Sequence, residues 1–172
     1  MSLLIAVALC LAGSTVFAQG RPRPRTTSFS ANKTFGLGFM IGDPLGLAGK
    51  YYLTSATAVD FGFGVIRLIG DDAIHLHADF LWHPAVLAQT PPFVLPIYFG
   101  VGGRVASIDR GRNDINDDEF AIGLRVPGGI MMDFNTVPLD VFFELAFVLD
   151  FVSEGDIEPG FNAALGVRYY FN

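Results

Sequence analysis

Thr34-Phe-Gly-Leu-Gly-Phe-Met-Ile41 and, at the far end of the chain, Phe161-Asn-Ala-Ala-Leu-Gly-Val-Arg-Tyr-Tyr-Phe171 alternate large apolar residues with small or polar ones. Alternation with period two marks a β-strand with two different faces. The stretches between them keep the same habit. They give predicted strands over residues 34–42, 46–54, 57–67, 73–83, 93–105, 119–134, 138–151 and 160–171. On each, one face is almost unbroken in apolar side chains, and charges and glycines fall on the other. A sheet packed in water shows the reverse, an apolar face inside and a charged face outside. An apolar exterior around a polar interior belongs to a transmembrane β-barrel. The expected fold is all-β, an eight-stranded antiparallel transmembrane β-barrel over residues 34–172.

Composition agrees. Of 172 residues, 51% are hydrophobic and only 16% charged, with formal net charge −6. Soluble domains are nearer a quarter charged, so the deficit points to lipid contact. After residue 18 no apolar run reaches the length of about eighteen that a membrane helix needs. In hydrocarbon only helices and closed barrels satisfy the backbone, which leaves the barrel. No nucleic-acid partner is expected.

Residues 1–18 read as a secretory signal peptide, with an apolar core from Leu3 to Ala12 and a small-residue cleavage site at Val16-Phe-Ala18. The single cysteine, Cys10, lies inside it, so the mature chain is expected to hold no disulfide and no thiol chemistry. Residues 19–33, Gln-Gly-Arg-Pro-Arg-Pro-Arg-Thr-Thr-Ser-Phe-Ser-Ala-Asn-Lys, read as a flexible basic periplasmic leader with nothing to bury. Such a stretch can also bind anionic lipid or peptidoglycan.

Turn chemistry separates the strands, as in Gly42-Asp-Pro-Leu-Gly46, Asn135-Thr-Val-Pro138 and Glu154-Gly-Asp-Ile-Glu-Pro-Gly160. An even strand number puts both termini on the periplasmic side. The connections after the first, third, fifth and seventh strands then face outward and are strongly acidic, the longest covering 106–118. The periplasmic connection 84–92 is unusually long for its place. Asp114-Ile-Asn-Asp-Asp-Glu119 hints at a calcium loop but lacks its glycine and distal glutamate. A solvated acidic loop, bridged by divalent cations to lipopolysaccharide phosphates, suits it better.

Alternation also assigns the faces. Phe39, Phe63, Leu76, Phe99, Ile122, Leu145 and Val167 are among those expected to point at lipid, with Trp82, Phe134, Tyr169 and Phe171 forming an aromatic girdle at the inner surface. Gly36, Gly38, Gly62, Gly64, Gly100, Gly102, Gly123 and Gly166 point inward. The inward rows also carry Lys50, Asp60, His75, His77, Asp79, Arg104, Arg125, Glu144 and Arg168. Lys50, Asp79, Arg125 and Glu144 are expected near one level at mid-barrel. Opposite charges in a dry interior must be paired, so the leading reading is a salt-bridge plug, with a charged constriction in a small pore as the alternative. His75-x-His77 with Asp79 has metal-ligand spacing, and with Glu144 or Arg104 nearby it could supply an acid–base group. A polar lumen lining is the plainer account. The Gly-x-Gly repeats open no helix and are not nucleotide motifs.

Gly36-Leu-Gly-Phe-Met-Ile-Gly-Asp-Pro-Leu-Gly-Leu-Ala-Gly-Lys-Tyr-Tyr-Leu53, with Ala58-Val-Asp-Phe-Gly-Phe-Gly64, Leu76-His-Ala-Asp-Phe-Leu-Trp-His83 and Gly166-Val-Arg-Tyr-Tyr-Phe171, resembles a family of small bacterial outer-membrane β-barrels known chiefly from genome sequences. In size and strand pattern the chain is also similar to OmpA- and OmpX-type barrels. The resemblance implies a fold and an address in the cell outer membrane, with no catalytic residues to carry over.

The expected function is a small, monomeric outer-membrane barrel with a structural or surface-interaction role. Its partners would be outer-membrane lipid, lipopolysaccharide and an extracellular ligand held by the acidic loops, with no cofactor. The alternatives are a lipid A-modifying barrel enzyme and a narrow pore.

Overall fold

The computed structural model describes residues 28–68, 71–109, 118–152 and 157–171. It forms eight strands: β1 Phe35–Gly42, β2 Leu45–Tyr52, β3 Thr57–Leu68, β4 Asp71–Gln89, β5 Phe93–Asp109, β6 Asp118–Phe134, β7 Leu139–Val152 and β8 Ile157–Phe171. Each strand pairs antiparallel with the next, and β1 pairs with β8, Phe35 opposite Phe171 and Gly42 opposite Ala164. The sheet is therefore a closed barrel with its backbone ladder continuous around the ring. No helix among the described residues is long and apolar enough to cross a membrane. The expected signal peptide, residues 1–18, lies outside the described residues. So do residues 110–117, which hold most of the acidic run read as a calcium hint.

Both ends of the barrel sequence lie at one end of the cylinder, with the β2–β3, β4–β5 and β6–β7 turns; this is the proximal end. At the distal end β1 turns into β2 through Gly42, whose φ is +119°. An added Cβ there would stand 2.3 Å from the carbonyl oxygen of Ala163, so glycine is required twice over.

Alternation sets the faces. Along β8, Asn162, Ala164, Gly166, Arg168 and Tyr170 point inward, while Phe161, Leu165, Val167, Tyr169 and Phe171 point outward. Phe161 is 78% exposed and Arg168 1%. The predicted outward rows are exposed on the other strands too, including Phe39, Ile122 and Leu145. Phe35, Phe171 and Tyr169 cluster on the proximal exterior, with ring centroids 6.3 and 5.2 Å apart, and Trp82 stacks on Phe99 at 5.8 Å. Inward glycines leave room for inward rings. A Cβ on Gly36 would touch Tyr170, one on Gly62 would strike His77, and one on Gly166 would strike Phe142. The narrow bore is thus filled by side chains, as eight strands require.

Two parts differ from the sequence reading. The residues expected as a long 84–92 connection mostly belong to β4, which continues to Gln89. The true turn is Thr90-Pro-Pro92, closed by Thr90 N–H donating to the Phe93 carbonyl at 2.9 Å. Register shifts between Trp82 and Ala85 and between Val86 and Ala88 absorb Pro84, which has no N–H for the ladder. The second difference is at the expected flexible leader. Its last residues, 28–33, turn into the proximal mouth, where Phe29 is 4% and Lys33 8% exposed. The leader does have something to bury: one aromatic ring and one ammonium.

Candidate functional site

The site is the lumen, and β-pairing positions its charges. Asp60, Asp79, Gly102 and Arg125 are successive cross-strand partners over β3, β4, β5 and β6. Gly102 presents no side chain between Asp79 and Arg125. A Cβ there would lie 2.1 Å from Asp79 Oδ1. Arg125 reaches across that gap, its Nε donating to Asp79 Oδ2 at 2.8 Å and its Nη2 to Glu144 Oε1. Tyr98 Oη donates to the other oxygen of Glu144 at 3.1 Å. Arg125 is 2% exposed and Asp79 1%, so this triad is shielded from water.

Arg168 organises a second group. Its Nη1 donates to Asp60 at 2.5 Å and its Nε to Asp140 at 3.1 Å, while Tyr170 Oη donates to Asp140 at 2.5 Å. The guanidinium lies 4.1 Å over the Phe142 ring. Two carboxylates, a phenol and a ring face thus surround one buried cation.

Lys50 lies in the expected row, as the cross-strand partner of Asp60, but its side chain is partnered differently from expectation. Among the described residues no carboxylate contacts it, and it joins the Arg125 group through Tyr98, lying 4.8 Å from that ring. Its Nζ is 2.9 Å from His83 Nε2 and 3.7 Å from Met131 Sδ. His83 Nδ1 stands 3.1 Å from the Ala56 carbonyl, which can only accept, so Nδ1 carries the proton and Nε2 receives the ammonium hydrogen.

Arg104 lies toward the distal mouth, paired with Asp150 and donating to Asn162 at 3.0 Å; Asn162 in turn donates to Asp43 at 3.1 Å. His75 Nε2 and His77 Nδ1 are 2.9 Å apart with perpendicular rings. Ligand atoms of His77, Asp79 and Glu144 lie within 4.8 Å of one another, which is compatible in distance with a metal. The guanidinium of Arg125, however, already engages one oxygen of each carboxylate, so the trio is organised around that cation. His75 Nδ1, Asp79 Oδ1 and Arg125 Nη1 find no protein partner among the described residues.

All nine residues singled out from the sequence line the lumen. Sequence reading missed Lys33, His83, Asp133, Asp140 and Asp150, which complete the network. Four of them had a usable signal. His83 continues the 75-77-79 row of β4, Asp140 and Asp150 share the parity of Glu144 on β7, and Asp133 that of Arg125 on β6. Lys33 had none, because it precedes the first strand.

No protein-family profile and no curated protein sequence matches the chain. Among solved structures, the chain is similar to the crystal structure of Ail, the attachment invasion locus protein of Yersinia pestis. Identity is 17% over 81% of this chain and 97% of that one, with a TM-score of 0.36. The crystal structure of Ail in complex with the heparin analogue sucrose octasulfate has 16% identity over the same shares, with a TM-score of 0.38.

Proposed function

We propose that this chain is a small integral outer-membrane barrel whose lumen is closed by its own ion network, serving as a rigid, non-enzymatic carrier of its distal loops. The observation that carries the reading is the inversion of burial. Lys50, Arg125 and Arg168 are at most 2% exposed inside, whereas Phe39 and Phe161 are 66% and 78% exposed outside. In water such an exterior would be a large aggregation-prone patch. In hydrocarbon it is the stable arrangement.

The closed lumen supports a structural or surface-interaction role over a pore. Arg125 and Arg168 are each held by two carboxylates, and Arg104 by Asp150 and Asn162, which leaves little freedom for an ion to pass. The partners of this reading are outer-membrane lipid, lipopolysaccharide phosphates and an extracellular ligand of the acidic distal loops. The protein acts as a monomer and uses no cofactor.

The test has three readings. Expressed with its leader, the protein is expected in the outer-membrane fraction, with faster gel mobility unless boiled. The refolded protein in planar bilayers is expected to conduct no more than a protein-free bilayer. His75→Ala and His77→Ala are expected to leave the lipid A profile of the cell unchanged. Soluble periplasmic protein without a heat-dependent shift would sink the location. Steady conductance would replace the plug with a pore, and a lipid A modification lost in the histidine variants would establish the enzyme.

A further inference from the structure

We infer that residues 28–34 form a lid seated in the proximal mouth, closing a cup in front of Lys50 independently of the ion network above it. The inference goes beyond the outer-membrane reading and is tested in detergent, so either can fail alone.

The lid is anchored by two side chains. Phe29 packs in the mouth with its ring 5.2 Å from His83 and 6.0 Å from Tyr52. Lys33 enters a socket of three acceptors: Asp133, the Phe134 carbonyl at 2.8 Å and the Leu139 carbonyl at 3.2 Å. That socket is built by the β6–β7 turn, on the opposite wall from Tyr52 and His83. The segment therefore spans the mouth from wall to wall.

Its attachment is lighter than that of any strand. Outside the two anchors, its backbone bonds among the described residues are those from Ala31 N to the Ser55 carbonyl and from Tyr52 N to the Thr34 carbonyl, both 2.9 Å. Ser30 and Asn32 are exposed, and with Val86, Gln89 and Val94 of β4 and β5 they line a cavity of about 130 Å³ beside the segment. A segment with few backbone bonds and a void beside it is the part of a fold that opens first. The eight strands close into a ring without these residues.

Behind Phe29 lie His83, Tyr52 and then Lys50, the buried cation with no carboxylate partner among the described residues. Lifting the lid would turn a sealed end into an aromatic-walled cup with an ammonium at its base. The closure is thus an internal contact that the chain makes with itself.

Cysteine accessibility tests this. In a Cys10→Ser background the chain has no other cysteine. Ala58→Cys reports on the cup, since Ala58 is 0% exposed and belongs to the cluster containing Phe29. Ala146→Cys, at 1% exposure on β7 beyond Glu144, reports on the rest of the lumen. Both are reacted in micelles with a charged thiol reagent, with and without Phe29→Ala and Lys33→Ala together. The expected result is slow labelling of both cysteines in the parent, and acceleration by about tenfold or more at residue 58 alone in the double variant. Fast labelling at residue 58 in the parent would show an unseated lid. Unchanged labelling in the double variant would show that closure lies elsewhere. Equal acceleration at residues 58 and 146 would make the segment an integral part of the barrel and overturn the lid.

Discussion

Asp60 on β3 and Arg168 on β8 stand 108 positions apart in the chain, yet a carboxylate oxygen and a guanidinium nitrogen meet at 2.5 Å across the lumen. Neither strand pairs with the other. The contact exists because both residues lie on inward rows and the bore is narrow enough for one side chain to cross it.

Glu144→Ala leaves Arg125 with one carboxylate partner and Tyr98 with none. Breaking a buried charge pair is expected to lower stability by about 3–5 kcal/mol, read as a lower urea midpoint of the refolded barrel. A variant as resistant as the parent would mean that water already solvates these groups, and would favour the pore.

Tyr170→Phe removes the hydroxyl that donates to Asp140 but keeps the ring over Gly36. Asp140 retains Arg168, so the expected cost is that of one hydrogen bond to a charged group, about 1.5–3 kcal/mol in the same urea series. A neutral effect would show that the phenol contributes through packing alone.

Residues 144 and 145 are chain neighbours on opposite faces, and Leu145 is 52% exposed near the middle of β7. Leu145→Arg is expected to destabilise the barrel in lipid by about 2–4 kcal/mol, the range for a cation on the hydrocarbon face. In a non-ionic micelle with a thin apolar belt the penalty should shrink. An equal and small effect in both would argue against a membrane-facing wall.

The β5–β6 ladder closes at Asp109 opposite Asp118. Deleting residues 110–117 and rejoining the strands with a short turn is therefore expected to leave urea resistance unchanged and to abolish the surface binding proposed for the distal loops. Loss of folding would assign these residues to the barrel itself.

The eight strands and their faces were legible because one physical rule, period-two alternation, governs the barrel wall outside the irregular stretch of β4 around Pro84. Lys50, Asp79, Arg125 and Arg168 were placed inside by that rule alone. It could not tell which charge meets which, because partners are fixed by tilt and register, and neither is written in a single strand. Lys50 shows the limit: its row was right, but its side chain meets His83 rather than a carboxylate. Phe29 and Lys33 were invisible for another reason. They obey no alternation, and their burial depends on a mouth assembled from β2, β4 and the β6–β7 turn.

The β1–β8 ladder gives the chain a particular order of assembly. Asp60 and Asp140 find their guanidinium only when the last strand is in place, and Tyr170 meets the space above Gly36 only then. A chain stopped before residue 157 would not be a smaller barrel. It would be an open sheet with two exposed edges and with carboxylates deprived of their counter-charge. Edge closure and charge neutralisation therefore coincide in one late event, which must bring the ends of the sequence together against the entropy of a very long loop. Folding should accordingly be slow and all-or-none, with a seven-stranded form too poorly satisfied to accumulate.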